Sequence, residues 1–229
     1  MKIPFELIFE DEFLFAINKP AWWVVHRGLA HDAQVIVDVL KTCFQGNQVY
    51  PLHRLDRQTS GTLLFARSSY MAKEMQRLFE SAMIQKKYIS LVRGICPSRG
   101  LIDSPVPQKE GGQRVAAQTD YVKIASVETL PRAVSLVLAF PHSGRFHQIR
   151  RHLKHINHPI IGDANYGKGP LNREFKLRYG LERMALHATS VTFTHPVTGT
   201  EVTIPAPLPT DLRIPLLNMG FEPELMHGV

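Results

Sequence analysis

His53-Arg54-Leu55-Asp56-Arg57-Gln58-Thr59-Ser60-Gly61-Thr62-Leu63 is the stretch from which the rest of the chain is read. It sets one carboxylate, Asp56, between two arginines, Arg54 and Arg57, and follows it at once with hydroxyl side chains and a glycine. Nearby positive charge favours the ionised form of a carboxyl group. Thr62–Ala66 then continues as a short apolar strand. A carboxylate held ionised on the turn before a strand suits one of two roles. It serves covalent or acid–base chemistry on a polyanionic substrate, or it is a structural aspartate paired to a neighbouring arginine. This stretch alone leaves both open.

Outward from it, strands come early, at Phe5–Phe9 and at Phe13–Ile17, the second ending at Asn18-Lys19-Pro20. Val35 to Phe44 is predicted as a helix behind the cap candidate Asp32. After Ser68-Ser69 a helix is expected from about Tyr70 to Ala82, with Met71, Met75, Leu78 and Ala82 on one face. Lys87–Val92 and Ser135–Phe140 alternate like strands. Ser98–Gln118 holds Pro105, Pro107 and Gly111-Gly112 and is predicted as a loop carrying Lys109 and Arg114, either a mobile connection or a flap over nucleic acid. From Arg145 the pattern is helical, with Ile149, Leu153 and Ile156 as its apolar stripe and Arg150, Arg151 and Lys154 on the remaining faces. Two strands, His187–Thr194 and Glu201–Ile204, flank the turn Pro196-Val197-Thr198-Gly199, and a terminal helix begins near Pro209. Strands at short intervals with few βαβ spacings predict an α+β fold, a mixed and largely antiparallel sheet with flanking helices, in one domain over residues 1–229.

The charge balance speaks to partners. Lys and Arg number 27 against 20 Asp and Glu, a net +7. A basic balance fits RNA, DNA or an anionic surface. The two cysteines, Cys43 and Cys96, form no CxxC pair, so neither a disulfide framework nor a structural zinc site is implied. The first twelve residues carry acidic side chains and no long apolar run, and no stretch is long enough to span a membrane, so a cytoplasmic protein is expected.

Three further groupings bear on chemistry. In Ser143-Gly144-Arg145-Phe146-His147-Gln148-Ile149-Arg150-Arg151-His152, a glycine turn puts Arg145 near a helix N-terminus, where anions are attracted and a guanidinium can grip a carboxylate or phosphate with two prongs. Gln85-Lys86-Lys87-Tyr88 heads a strand, and Tyr88 there either stacks on a base, moves a proton, or is an ordinary aromatic of the core. The eleven histidines include His142, His147, His152, His155 and His158 close together, but with no HExxH and no nearby cysteine no metal is expected. The GxSxG, GxGxxG and GxxxxGK[ST] patterns are absent, which argues against a serine hydrolase and a nucleotide cofactor.

Taken in order, these segments resemble the RluA-type family of RNA pseudouridine synthases. Asn18-Lys19-Pro20 with Val24-Val25-His26 looks like its first motif, and His53-Arg54-Leu55-Asp56 with Thr59-Ser60-Gly61 like its catalytic motif. Lys86-Lys87-Tyr88 is similar to its K-x-Y element. Gly144-Arg145-Phe146-His147-Gln148-Ile149-Arg150, with His158-Pro159-Ile160-Ile161-Gly162-Asp163 and Tyr166-Gly167, looks like its third motif. Leu186-His187-Ala188 and Thr194-His195-Pro196 match its C-terminal strand pair. Two positions depart from the pattern: Trp22 stands where the family usually has glycine, and Ser143 where it usually has threonine.

The resemblance implies a pseudouridine synthase catalytic domain that isomerises uridine in RNA with no cofactor. It implies Asp56 as the nucleophile, Tyr88 stacking on the uracil, and Arg145 orienting Asp56. Arg54 would fill the gap left by the flipped base, and Leu186 would pack against that base. His53 and Arg150 are further substrate-binding candidates. Attack at C6 of the ring and at C1′ of the sugar both remain open. The chain begins almost at the catalytic domain, so no N-terminal S4-type domain is expected. Arg151-His152-Leu153-Lys154-His155 and Tyr179-Gly180-Leu181-Glu182-Arg183-Met184 look most like the TruC subgroup, which acts on a uridine in the T-stem of tRNA. A monomer acting on tRNA is therefore expected. Ribosomal RNA, or both RNAs, is the alternative substrate, and a non-catalytic RNA-binding module is the alternative of another class.

Overall fold

The apolar run around Gly61 becomes a strand without an exposed residue, since all seven positions of Ser60–Ala66 are buried. The computed structural model describes residues 3–27, 34–45 and 48–226. In chain order it forms β1 (Glu6–Glu10), β2 (Leu14–Lys19), α1 (Ile36–Cys43), β3 (Tyr50–Pro51), β4 (Ser60–Ala66), α2 (Ser69–Glu80) and β5 (Gln85–Arg93). Then come β6 (Arg99–Asp103), β7 (Val106–Pro107), β8 (Arg114–Val115), β9 (Gln118–Val127), β10 (Val134–Pro141) and α3 (Gln148–His155). The rest is α4 (Gly169–Tyr179), β11 (Leu186–Thr194), β12 (Glu201–Pro205), α5 (Thr210–Asn218) and a short 3-10 turn at Pro223–Met226. This is an α+β fold with largely antiparallel pairing and flanking helices. No helix among the described residues is long and apolar enough to cross a membrane.

The chain folds as two compact units, one of Met1–Ile84 with Ala188–Pro207, the other of Gln85–His187 with Leu208–Val229. In the first, β1 pairs β2, β2 pairs β4 and β3 pairs β4, all antiparallel, and β12 pairs β11. Leu64 and Ala66 face a cluster with Met71 and Met75 of α2. Burying two such side chains contributes roughly 1.5–3 kcal/mol each. On the opposite side of β4, Phe65 stacks on Phe15 at 4.9 Å, and Phe15 meets Phe44 just past α1 at 5.4 Å. The Ser68 side chain caps α2 by accepting from the Met71 amide. Ala82, expected on the buried face of α2, instead lies beyond its end, exposed and with φ 57°. The cap candidate Asp32 lies outside the described residues, and the residue at the α1 N-cap is Val35, with no side-chain hydrogen bond.

In the second unit, β10 runs antiparallel between β5 and β9, and β6 closes the edge against β9. The predicted Ser98–Gln118 loop is thus corrected. It contains the edge strand β6 and a hairpin of β7 and β8, with Val106 opposite Val115. β6 shows a weak pattern because an edge strand buries one side only: Ile102 is 3% exposed and Leu101 54%. α3 lays Ile149 and Leu153 into the core. The residues on its other faces differ in burial. Arg150 is buried, 8% exposed, whereas Lys154 faces out.

Candidate active site

In the first unit the Asp56 loop is pinned by its backbone. The Thr59 amide donates to the Asp56 carbonyl at 3.0 Å, closing a tight turn. The next carbonyl, that of Arg57, accepts from the Trp22 amide at 2.7 Å and from the Lys19 ammonium at 3.3 Å. Lys19 is fully buried, and its ammonium also donates to the Pro20 carbonyl at 3.0 Å. Trp22 adopts φ 73°, the left-handed region that glycine enters without strain, so the backbone here suits the glycine that the resemblance led one to expect. Asp56 itself is half-buried, Leu55 beside it is buried, and Arg54 is exposed. His53 serves the frame, its Nε2 accepting from the Leu64 amide at 3.2 Å and its ring lying 5.5 Å from Phe79. Arg54 of this loop also acts on His26. Burial first, then Arg54 and Lys41, push the His26 imidazole below its usual range. A Cβ at Gly61, which has φ 115°, would stand 2.1 Å from the Ala188 carbonyl oxygen, so the strand that follows the loop depends on glycine.

In the second unit, Arg145 lies three residues before α3, on a segment organised by one buried glutamine. Gln148 Oε1 accepts from the Ser143 hydroxyl at 2.6 Å and from the Arg145 amide at 3.1 Å. Its Nε2 donates to the Gln118 carbonyl and to Thr119 Oγ1. Serine at position 143 therefore supplies the hydroxyl this staple needs. The Phe146 amide donates to the Pro107 carbonyl, which ties the segment to the β7–β8 hairpin. Arg145 Nε is buried with no hydrogen-bond acceptor among the described residues, a donor held ready for an anion. Sequence reasoning assigned Gln148 no role. Its only signal was its place in the Arg145 segment.

Lys86, noted in the sequence as part of the K-x-Y element but given no role, is the other member. Its ammonium donates to the Ser143 carbonyl at 2.9 Å. Burial first, and the Arg145 guanidinium second, lower its pKa to about 8. Tyr88 stands two residues along β5, half-buried and paired with Ala139 of β10, its ring packed on the core of this unit. Leu186 is buried at the head of β11, and its carbonyl accepts from Arg183, whose guanidinium also forks onto Asp211 at 2.8 and 2.9 Å. Arg150, expected at the substrate, forks onto the buried Asp163 at 2.7 and 2.9 Å. Asp163 also accepts from the amides of Asn165 and Tyr166, so this pair shapes the turn after α3. Arg145, Lys86 and Ser143 therefore meet in one unit, while His53, Arg54 and Asp56 share the pinned loop of the other.

A family model described as RNA pseudouridylate synthase matches residues 14–155. The tRNA pseudouridine synthase C of Pasteurella multocida is 42% identical over 219 residues, 87% of this chain and 89% of that protein. That of Haemophilus influenzae is 38% identical over 236 residues, 95% and 98% of the two chains. Among solved structures, human RNA Pseudouridylate Synthase Domain Containing 4 matches with a TM-score of 0.76 at 26% identity, covering 95% of this chain and 94% of its own.

Proposed function

Because the chain belongs to the RNA pseudouridylate synthase family, we propose that it isomerises a uridine to pseudouridine in tRNA, at a T-stem position, with Asp56 as nucleophile. The observation that carries the role of Asp56 is the clamped turn: a half-buried carboxylate whose own carbonyl and the next one are both held by hydrogen bonds. Such a group keeps its position while a base is brought to it.

A uridine inside folded RNA is out of reach, so it is flipped into the enzyme at a cost of a few kcal/mol. Stacking on the Tyr88 ring and contacts to phosphate offset that cost. Asp56 attacks C6 of the ring or C1′ of the sugar. The N1–C1′ bond breaks, the uracil turns, and C5 bonds to C1′. The bond to Asp56 breaks and frees its carboxylate, the C5 proton is lost and N1 takes one up, so atoms and electrons balance with no redox step. Arg145 offers its unsatisfied donor to an anion of the reacting complex, and Gln148 and Lys86 position Arg145. Arg54, exposed beside Asp56, occupies the place the base leaves, and Leu186 packs against the flipped ring. His53 and Arg150 act one step back, His53 through the Leu64 amide and Arg150 through Asp163.

The test is pseudouridine mapping by carbodiimide labelling and primer extension, on unmodified tRNA and on ribosomal-RNA fragments. One stop in the T-stem, lost in Asp56→Asn while affinity for tRNA stays within a few-fold, is the expected result. Turnover by Asp56→Asn would remove the nucleophile assignment. Stops in ribosomal RNA alone would replace the substrate.

A further inference from the structure

A basic cavity opens in the second unit beside α3, with a volume of about 310 Å³. Arg151, Lys154 and His155 of α3 line it with Arg114 of β8, Asn157 and Tyr166, and no aspartate or glutamate is among the lining residues. Arg151 and Lys154, three residues apart on the helix, repel one another unless an anion lies between them. Arg151 is set for one. Its guanidinium carbon sits 5.7 Å from the Phe146 ring and 5.1 Å from the Tyr166 ring, which fixes the plane of the fork. Its Nε is buried with no hydrogen-bond acceptor among the described residues. A buried donor without an acceptor is rare in folded proteins and points to a missing partner.

The walls are rigid. His152, held neutral mainly by burial, donates from Nε2 to the Ser104 carbonyl at 2.9 Å and accepts at Nδ1 from the Thr119 hydroxyl at 2.8 Å. Its imidazole therefore braces the wall and leaves the charge to its neighbours. The Asp163 turn holds Tyr166, and Arg114 donates to the Pro105 carbonyl across its hairpin. The volume equals roughly ten waters at bulk density, enough for a phosphate with part of its sugar.

We propose that this cavity is a subsite for one backbone phosphodiester of the RNA substrate, gripped by Arg151 and flanked by Arg114 and Lys154. The proposal rests on the reading of the chain as an RNA-modifying enzyme. It adds a place where the RNA is held by its backbone, independently of which base is flipped.

The test measures tRNA affinity by fluorescence anisotropy across a potassium chloride series, with turnover measured in parallel. Variants are Arg151→Gln with Lys154→Gln, and, as a charge-matched control on α4, Lys176→Gln with Arg178→Gln. In the cavity variant the slope of log affinity against log salt should fall by about one, the change expected when one phosphate is no longer neutralised. KM should rise roughly ten-fold while kcat holds, the size expected when hydrogen bonds to a charged group are removed. The control should move neither. A Lys154→Arg variant, which keeps the charge, should retain the wild-type slope. An unchanged slope in the cavity variant, or an equal fall in the control, overturns the subsite. Wild-type protein that binds tRNA with the full slope yet makes no pseudouridine would overturn the catalytic reading while leaving the subsite test intact.

Discussion

Lys86→Met should change how stability depends on pH, in a direction set first by the burial of Lys86 and second by Arg145 beside it. Its pKa falls from the ordinary 10.5 to about 8, so the folded protein binds that proton less readily than the unfolded chain does. Between about pH 8 and 10.5 the unfolded state carries more protons at this site. Wild-type stability must therefore rise with pH across that window, and below it the full cost of burying the charge applies. The whole shift corresponds to about 3 kcal/mol, and partial exposure of the side chain brings the expected effect to about 1–3 kcal/mol. The methionine variant lacks this dependence. It also loses the hydrogen bond to the Ser143 carbonyl, a pH-independent cost of about 1 kcal/mol. Urea unfolding of both proteins at intervals from pH 7 to 10 gives the difference curve directly. The variant should compare best at pH 7 and lose ground by about 1–3 kcal/mol towards pH 10. Other titrating groups cancel in the difference. Parallel curves for the two proteins would refute the placement of a strained ammonium against Arg145.

Two further outcomes follow from buried geometry. Asp163→Asn leaves the Arg150 guanidinium buried without its counter-charge and should cost roughly 3–5 kcal/mol, about a 10 °C drop in Tm by calorimetry, with a cost of under 1 kcal/mol counting against the pair. Gly61→Ala places a methyl group 2.1 Å from the Ala188 carbonyl oxygen at a φ of 115°. It should destabilise by roughly 3 kcal/mol or more, and a variant that unfolds in denaturant at the wild-type midpoint would contradict that close approach.

Much was legible in the residues because it depends on near neighbours. The period of Met71 and Met75 defines α2, and Ile149 with Leu153 defines α3, since a helix is made of contacts three and four residues apart. The alternating and apolar runs located β2, β4, β5, β10, β11 and β12, and the ordered motifs identified the family before any fold was in view. Elements whose reason lies elsewhere in the chain stayed hidden. β6 is a strand because β9 supplies its ladder, and prolines and glycines nearby made the same stretch look like a loop. α4 buries Phe175 but almost nothing else, so no apolar stripe announced it.

The same division runs through the candidate site. The sequence by itself determined which groups are present: the Asp56 carboxylate between arginines, the Tyr88 ring, and the guanidinium groups at 145, 150 and 151. Only the tertiary structure decided what each meets. Arg150 and Arg151 are adjacent and chemically identical, yet one forks onto the buried Asp163 while the other keeps a donor with no acceptor among the described residues, beside a basic cavity. Lys86 looks like any surface lysine until Arg145 is brought to its side and water is removed. Residue type sets what charge and hydrogen bonds a side chain can offer, whereas burial and partners, which arise only when distant segments pack, set whether that offer is already used.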